Sequence, residues 1–147
     1  MSQIIKGIAA SDGIGIAKAY LLIDPDLSFE KKTIADPAAE YERVEKAFSA
    51  SIADLATIKQ NAKSRLSDEE LEVFDAHIAI LSDPEMKSQI KDEIENQHVS
   101  AEEAMTDVTT NFANVLAAMI DNKYMQERAA DVKDVAKRAL SHLLGKQ

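Results

Sequence analysis

Residues 67–86, Ser-Asp-Glu-Glu-Leu-Glu-Val-Phe-Asp-Ala-His-Ile-Ala-Ile-Leu-Ser-Asp-Pro-Glu-Met, read as a helix with both ends specified. Ser67 followed three positions on by Glu70 is a capping-box pattern, in which the hydroxyl accepts from an orphan N–H and the carboxylate reaches back to the cap. At the far end, Asp83-Pro84 stops this helix and starts the next, because proline suits the first helical position and disfavours helical geometry just before it. At about 100° per residue, Leu71, Phe74, Ile78 and Leu81 share one face, the stripe that an amphipathic helix buries. Val73, Ala76 and Ile80 fall roughly opposite, beside Glu69 and bordered by Glu72 and Asp83. A small apolar strip in an acidic rim is the pattern of a partner-docking face. Single exposed apolar residues are also ordinary, so this stretch by itself leaves both readings open.

Outward from it, helical periodicity fills the rest of the chain from residue 36. Asp36-Pro37 is a cap followed by proline at the first helical position, and Tyr41, Val44, Phe48, Ser51/Ile52, Leu55, Ile58 and Ala62 recur at three- and four-residue spacing. The pattern predicts a helix to about Leu66, with only Ser67 before the next. Met86, Ile90 and Ile94 mark a short helix from Pro84 to Gln97. Ser100 with Glu103 is a second capping-box pattern, opening a helix striped by Ala104, Val108, Phe112, Val115 and Met119. After a break at Asp121-Asn122, Met125, Ala129, Val132, Ala136, Ala139 and Leu143 stripe the last helix. Lys137, Arg138 and His142 lie toward its C-terminus, where the helix dipole favours cations, and Gly145 terminates it. The expected fold class is mainly α: an antiparallel bundle of four main helices with one short extra helix. Residues 3–8 and 14–22 read as two short strands around a turn at Gly13. Nothing later completes their sheet, so they point to a larger protein continuing beyond Gln147 or to pairing with another molecule.

The 147 residues suit one domain with its own core. The chain has no cysteine, which excludes disulfides and thiolate metal sites and suits a reducing compartment. It has no run of membrane-span length and no signal-peptide layout, so a soluble intracellular protein is expected. The net charge of −9 is unevenly placed. Between residues 68 and 107, 13 acids face only Lys87 and Lys91, a local −11, while the remaining residues carry 15 bases and 13 acids, or +2. Such a field repels nucleic acid and anionic membranes and draws in a basic protein.

The residues offer little chemistry. A di-iron bundle needs Glu-x-x-His on two helices plus two inward glutamates; Glu95-Asn96-Gln97-His98 fits once, at a helix end, and has no second copy. No nucleophile elbow, phosphate loop or zinc spacing occurs. His77 lies at the boundary of core stripe and outer strip, where packing or partner contact is expected; His98 and His142 lie at helix ends, where capping is expected. No catalytic residue and no metal ligand is assigned.

Three segments, Gly-Ile-Ala-Ala-Ser-Asp-Gly-Ile-Gly-Ile-Ala-Lys-Ala (7–19), Val-Phe-Asp-Ala-His-Ile-Ala-Ile-Leu (73–81) and Tyr-Met-Gln-Glu-Arg-Ala-Ala-Asp-Val-Lys-Asp-Val (124–135), resemble the N-terminal part of Enzyme I of the bacterial phosphoenolpyruvate:sugar phosphotransferase system. Asp12 stands where many members have proline. The resemblance implies a phosphohistidine α/β subdomain into which a helical subdomain is inserted to bind the phosphocarrier protein HPr. Residues 1–23 would then be the first strands of the α/β part, 24–35 a connector and 36–147 the HPr-binding subdomain. The matching HPr-contact positions are Asp68, Glu69, Glu72, Val73, Ala76, Ala79, Ile80, Asp83, Glu85 and Met86, with Asn111, Val115, Leu116 and Arg128 as further carry-overs. The family's phosphoacceptor lies in a Thr-Ser-His motif that does not occur here, and its magnesium and phosphoenolpyruvate sites are expected beyond Gln147. The function implied is docking, without chemistry or cofactor in this chain, in a cytoplasmic enzyme that passes a phosphoryl group from phosphoenolpyruvate through a histidine to HPr. The partners implied are HPr and the remainder of Enzyme I, with no nucleic acid and no membrane. An independent metal or redox bundle and a coiled-coil adaptor remain as alternatives.

Overall fold

The structure is a computed structural model that describes residues 26–119 and 121–146. The two expected strands lie outside the described residues. Five helices follow in order: α1 (Pro37–Ala62), α2 (Asp68–Leu81), α3 (Pro84–Gln97), α4 (Ala101–Ala117) and α5 (Lys123–Leu143). Local chemistry sets their ends. Asp36, Ser67, Asp83, Ser100 and Asn122 each cap the helix that follows, accepting from an N–H of its first turn. At Ser67 the box is complete: its hydroxyl accepts from the Glu70 N–H at 3.2 Å, and the Glu70 carboxylate accepts from the Ser67 N–H at 2.7 Å.

Cross-chain pairs give the direction of each helix. Lys59 Nζ meets Asp75 Oδ1 at 2.7 Å, and Lys87 and Lys91 lie over the Phe48 and Tyr41 rings at 6.0 and 5.7 Å. Numbers rise along α2 and α3 as they fall along α1. The two 14-residue helices therefore form one arm, broken at Asp83-Pro84, that runs antiparallel to the 26-residue α1. This reconciles five helices with a four-arm bundle. α3 is nevertheless fully part of the core, since Met86, Ile90 and Ile94 are all buried. α4 returns beside α3, and α5 packs on α4 and α1.

α1 ends at Ala62 rather than near Leu66, and residues 63–67 form the reversal. Arg65 and Leu66 N–H groups both donate to the Ala62 carbonyl, at 2.9 and 3.1 Å, which leaves the chain room to turn back while Leu66 stays buried. At the opposite end of the bundle, Arg43 closes the arms together. Its guanidinium donates to Glu102 Oε1 and Oε2 at 3.0 and 2.8 Å, to Glu40 Oε2 at 2.7 Å and to the Leu143 carbonyl at 3.2 Å. Burial opposes ionisation of Glu102, but the hydrogen bonds and charge of Arg43 outweigh it and hold that carboxyl below the usual range. Among the described residues no buried side-chain polar atom lacks a partner.

The stripe on α2 is rotated from the sequence expectation. Leu71, Phe74 and Leu81 are buried as expected, but Ile78 is half-buried, and His77 (1% exposed) and Ile80 (8%) take the interior instead. On α4 the stripe holds at Ala104 and Val108 but fails toward the C-terminus, where Val115 is 61% and Met119 42% exposed. α5 packs against the His77 side of α2 and draws that side into the interior, whereas the last turns of α4 are left uncovered.

Candidate functional site

That uncovered corner is a groove of about 680 Å³. α2 and its cap contribute Ala79, Ile80 and Asp83, and α3 contributes Met86 and Gln89. α4 adds Asn111, Phe112, Val115 and Leu116, and α5 adds Tyr124, Met125, Arg128 and Val132. Each position follows from chain geometry. The Asp83-Pro84 break exposes the junction of α2 and α3, and the short turn between α4 and α5 puts the end of one beside the start of the other. Val115 and Tyr124, among the most exposed large apolar side chains at 61% and 58%, both lie here.

The groove is apolar with a charged edge. The Arg128 guanidinium lies over the Tyr124 ring, 5.3 Å from its centroid, and donates to the Tyr124 hydroxyl, so the arginine is held flat along the wall. Asp83 is half-buried and its Oδ1 accepts from the Glu85 N–H at 2.9 Å, which fixes one carboxylate at the rim. Glu69 and Glu72 are exposed, and among the described residues neither enters an ion pair within 4.0 Å.

Of the ten expected contact residues, the groove brings together Ala79, Ile80, Asp83 and Met86, and it also holds Asn111, Val115, Leu116 and Arg128. Asp68 and Glu72 instead line a polar hollow against α1, with Lys59 and Lys63. Val73 and Ala76 are half-buried, while Glu69 and Glu85 are exposed outside the groove lining. The expected outer strip of Val73, Ala76 and Ile80 is thus corrected at Ile80. That residue is the floor of a concave surface, because α5 rises beside the end of α2; it is not on a convex face turned to water. Gln89, Phe112, Tyr124, Met125 and Val132 were not expected. Tyr124 and Met125 fall within a segment already singled out; Tyr124 is exposed and Met125 half-buried, and on spacing alone Met125 belongs to the core stripe of the last helix.

Of the histidines, His98 caps a helix end as expected, while His77 and His142 are placed differently. His77 is interior, with Nε2 3.2 Å from Asp131 Oδ1 of α5. His142 does not cap its helix; Nε2 meets Asp54 Oδ2 of α1 at 2.6 Å. His98 occupies the C-cap of α3 at φ 52°, and its ring Nδ1 lies 3.2 Å from the Ile34 carbonyl. Glu95 and His98, the only match to Glu-x-x-His, are both exposed. Among the described residues, donor atoms of His77, Asp131 and Asp134 lie within 4.8 Å of one another. That set could in principle hold a small divalent cation, but its imidazole and one carboxylate already satisfy each other.

A second carboxylate cluster sits between α3 and α4, away from the groove. Burial, a hydrogen bond to Asp107, and the charges of Asp107 and Glu103 raise the Glu93 carboxyl to about 7. No helix among the described residues is long and apolar enough to cross a membrane.

Comparison with known proteins agrees with this architecture. Residues 6–128 match the family model described as PEP-utilising enzyme, N-terminal. The chain is 52% identical over 145 residues to a phosphoenolpyruvate-protein phosphotransferase of Enterococcus faecalis and 53% identical over 145 residues to one of Lactococcus lactis. In each case 99% of this chain is covered, but only 25% of the relative, so the chain spans about a quarter of their length. A solution NMR structure of Enzyme I superposes with a TM-score of 0.76 at 28% identity, covering 82% of this chain and 49% of that one. The N-terminal domain of an Enzyme 1 of the nitrogen type superposes with a TM-score of 0.74 at 27% identity, covering 85% and 52%.

Proposed function

The chain belongs to the family of PEP-utilising enzyme N-terminal domains, and from that premise we propose that its groove docks the phosphocarrier protein HPr for a phosphoenolpyruvate-protein phosphotransferase. The bundle supplies binding and orientation, so that the carrier's histidine meets a phosphohistidine held elsewhere in the enzyme. The observation that carries the proposal is the groove itself. Val115 and Tyr124 present apolar area to water beside Ile80 and Arg128, and the α2–α3 side of the groove belongs to the acid-rich stretch 68–107. An apolar centre with a charged edge suits a carrier that offers an apolar helix surface ringed by basic residues.

The contact set proposed is Ala79, Ile80, Asp83, Met86, Asn111, Val115, Leu116 and Arg128, with Asp68, Glu69, Glu72 and Glu85 steering from outside it and Val73 and Ala76 at its margin. Residues 36–147 are the docking subdomain, 24–35 its connector and 1–23 the start of the α/β part. Magnesium and phosphoenolpyruvate belong to other parts of the enzyme, which works in the cytoplasm. Alone, this chain takes no phosphoryl group from phosphoenolpyruvate and magnesium; label appearing on any histidine would overturn that division of labour.

Val115→Lys tests the docking. The position is 61% exposed and tolerates lysine in the free protein, so helicity and thermal midpoint stay unchanged while HPr affinity falls about tenfold or more. Calorimetry showing undiminished binding by this variant would reject the groove. An independent metal bundle would instead show stoichiometric metal on purification, and a coiled-coil adaptor a dimer mass in solution.

A further inference from the structure

His77 lies 1% exposed toward the C-terminal half of α2, and among the described residues it meets Asp131 of α5, whose Oδ1 is 3.2 Å from Nε2. Asp134, one turn further along α5, brings a second carboxylate within 4.8 Å of the same group. A carboxylate can only accept at this distance, so the imidazole donates from Nε2 and Asp131 accepts.

Both residues sit immediately behind the groove. Ile80, one turn after His77, is its floor on the α2 side; Val132 follows Asp131, and Arg128 precedes it by one turn on the α5 wall. Apolar packing between helices resists separation more than rotation, being non-directional. A hydrogen bond between buried groups is directional. We infer that the His77–Asp131 hydrogen bond is a positioning tie that fixes the rotation of α5 against α2, and so holds the Arg128–Tyr124 wall at the distance from Ile80 that a docked partner needs. Neither residue touches the partner. Without the tie, α5 is freer to rotate about its own axis, and rotation would carry Arg128, one turn before Asp131, out of line with Ile80.

The inference rests on the docking proposal, and its test separates the two. Asp131→Asn keeps an acceptor for Nε2–H, and Asp131→Leu removes it. Asp54→Leu is the control: it breaks the hydrogen bond of α5 to α1 at His142, near the other end of the helix. The full chain of each variant is titrated with HPr, its thermal midpoint recorded, and the methyl resonances of Ile80 and Met125 compared without partner. Asp131→Asn binds within about threefold of the parent chain, and Asp131→Leu about tenfold more weakly. Asp54→Leu lowers the midpoint and leaves affinity unchanged. The free-protein Ile80 and Met125 resonances shift in Asp131→Leu only. Unmoved groove resonances in Asp131→Leu, or equal affinity loss in the control, would overturn the tie. Should Asp131→Leu fail to fold, His77→Gln, which retains a donor, against His77→Leu reads the same contrast. Failure of the parent chain to bind HPr would sink the docking proposal alone, because the partner-free resonances still decide the inference.

Discussion

Arg43→Met removes the cation that joins three helices at the end of the bundle away from the groove, and the structure sets the size of the effect. Glu102, with its side chain 10% exposed, would lose both hydrogen bonds from the guanidinium, and the Leu143 carbonyl would lose a donor. Glu40 keeps one compensation, the Ala101 N–H at 2.8 Å. Stranding one member of a fully buried ion pair costs about 3–5 kcal/mol, whereas exposed pairs contribute about 0–1. The Arg43 side chain is 37% exposed, so water screens part of the interaction and the expected loss is about 2 kcal/mol. With a urea slope of about 2 kcal/mol/M for a domain of this size, the unfolding midpoint should fall by about 1 M without change of slope. Glu102→Gln on the Arg43→Met background should restore part of the loss, since no unpaired charge then remains buried. HPr affinity should be unaffected. A midpoint within about 0.2 M of the parent would refute the idea that this cluster closes the bundle.

Three further perturbations read other parts of the fold. Glu93 is held near 7 in the folded chain against 4.5 when free, so the native state keeps its proton where the unfolded state has released it, and stability falls as pH rises from about 4.5 to 7. Glu93→Gln should flatten that slope and, after allowance for solvent screening, stabilise the protein by about 1 kcal/mol at pH 8 by thermal unfolding; an unchanged pH profile would contradict the assignment. Ser67→Ala opens the complete capping box of α2 and should cost about 1 kcal/mol by urea unfolding. Phe74→Ala, at a fully buried position, should cost about 3–5 kcal/mol, and a loss under about 1 kcal/mol would mean that α2 does not pack as described.

Much of the bundle was readable before any coordinates. Serine, aspartate and proline at Asp36-Pro37, Ser67, Asp83-Pro84 and Ser100 fix helix starts by local chemistry, which a sequence displays directly. The Met86, Ile90, Ile94 stripe was read correctly because α3 is covered along its whole length. The misreadings share one physical origin. A helical wheel gives angles between side chains but does not say which arc a neighbour covers. Ile80 lies opposite Phe74's stripe on paper, yet α5 packs on that side; Val115 continues a core stripe on paper, yet α4 outlasts its neighbours there. His77–Asp131 and His142–Asp54 join residues 54 and 88 positions apart, and pairs so distant leave no trace in local spacing. The groove was half legible for the same reason: its α2 residues stood out as misplaced apolar groups, whereas Phe112, Met125 and Val132 looked like ordinary core.

The central claim is that the corner between α2, α3, α4 and α5 receives HPr, and chemical-shift mapping of the labelled chain during an HPr titration tests it most directly. Perturbations should cluster at Ala79, Ile80, Val115, Tyr124 and Arg128 and weaken as salt is raised. Perturbations confined to the exposed face of α1, with those five resonances unmoved, would contradict it.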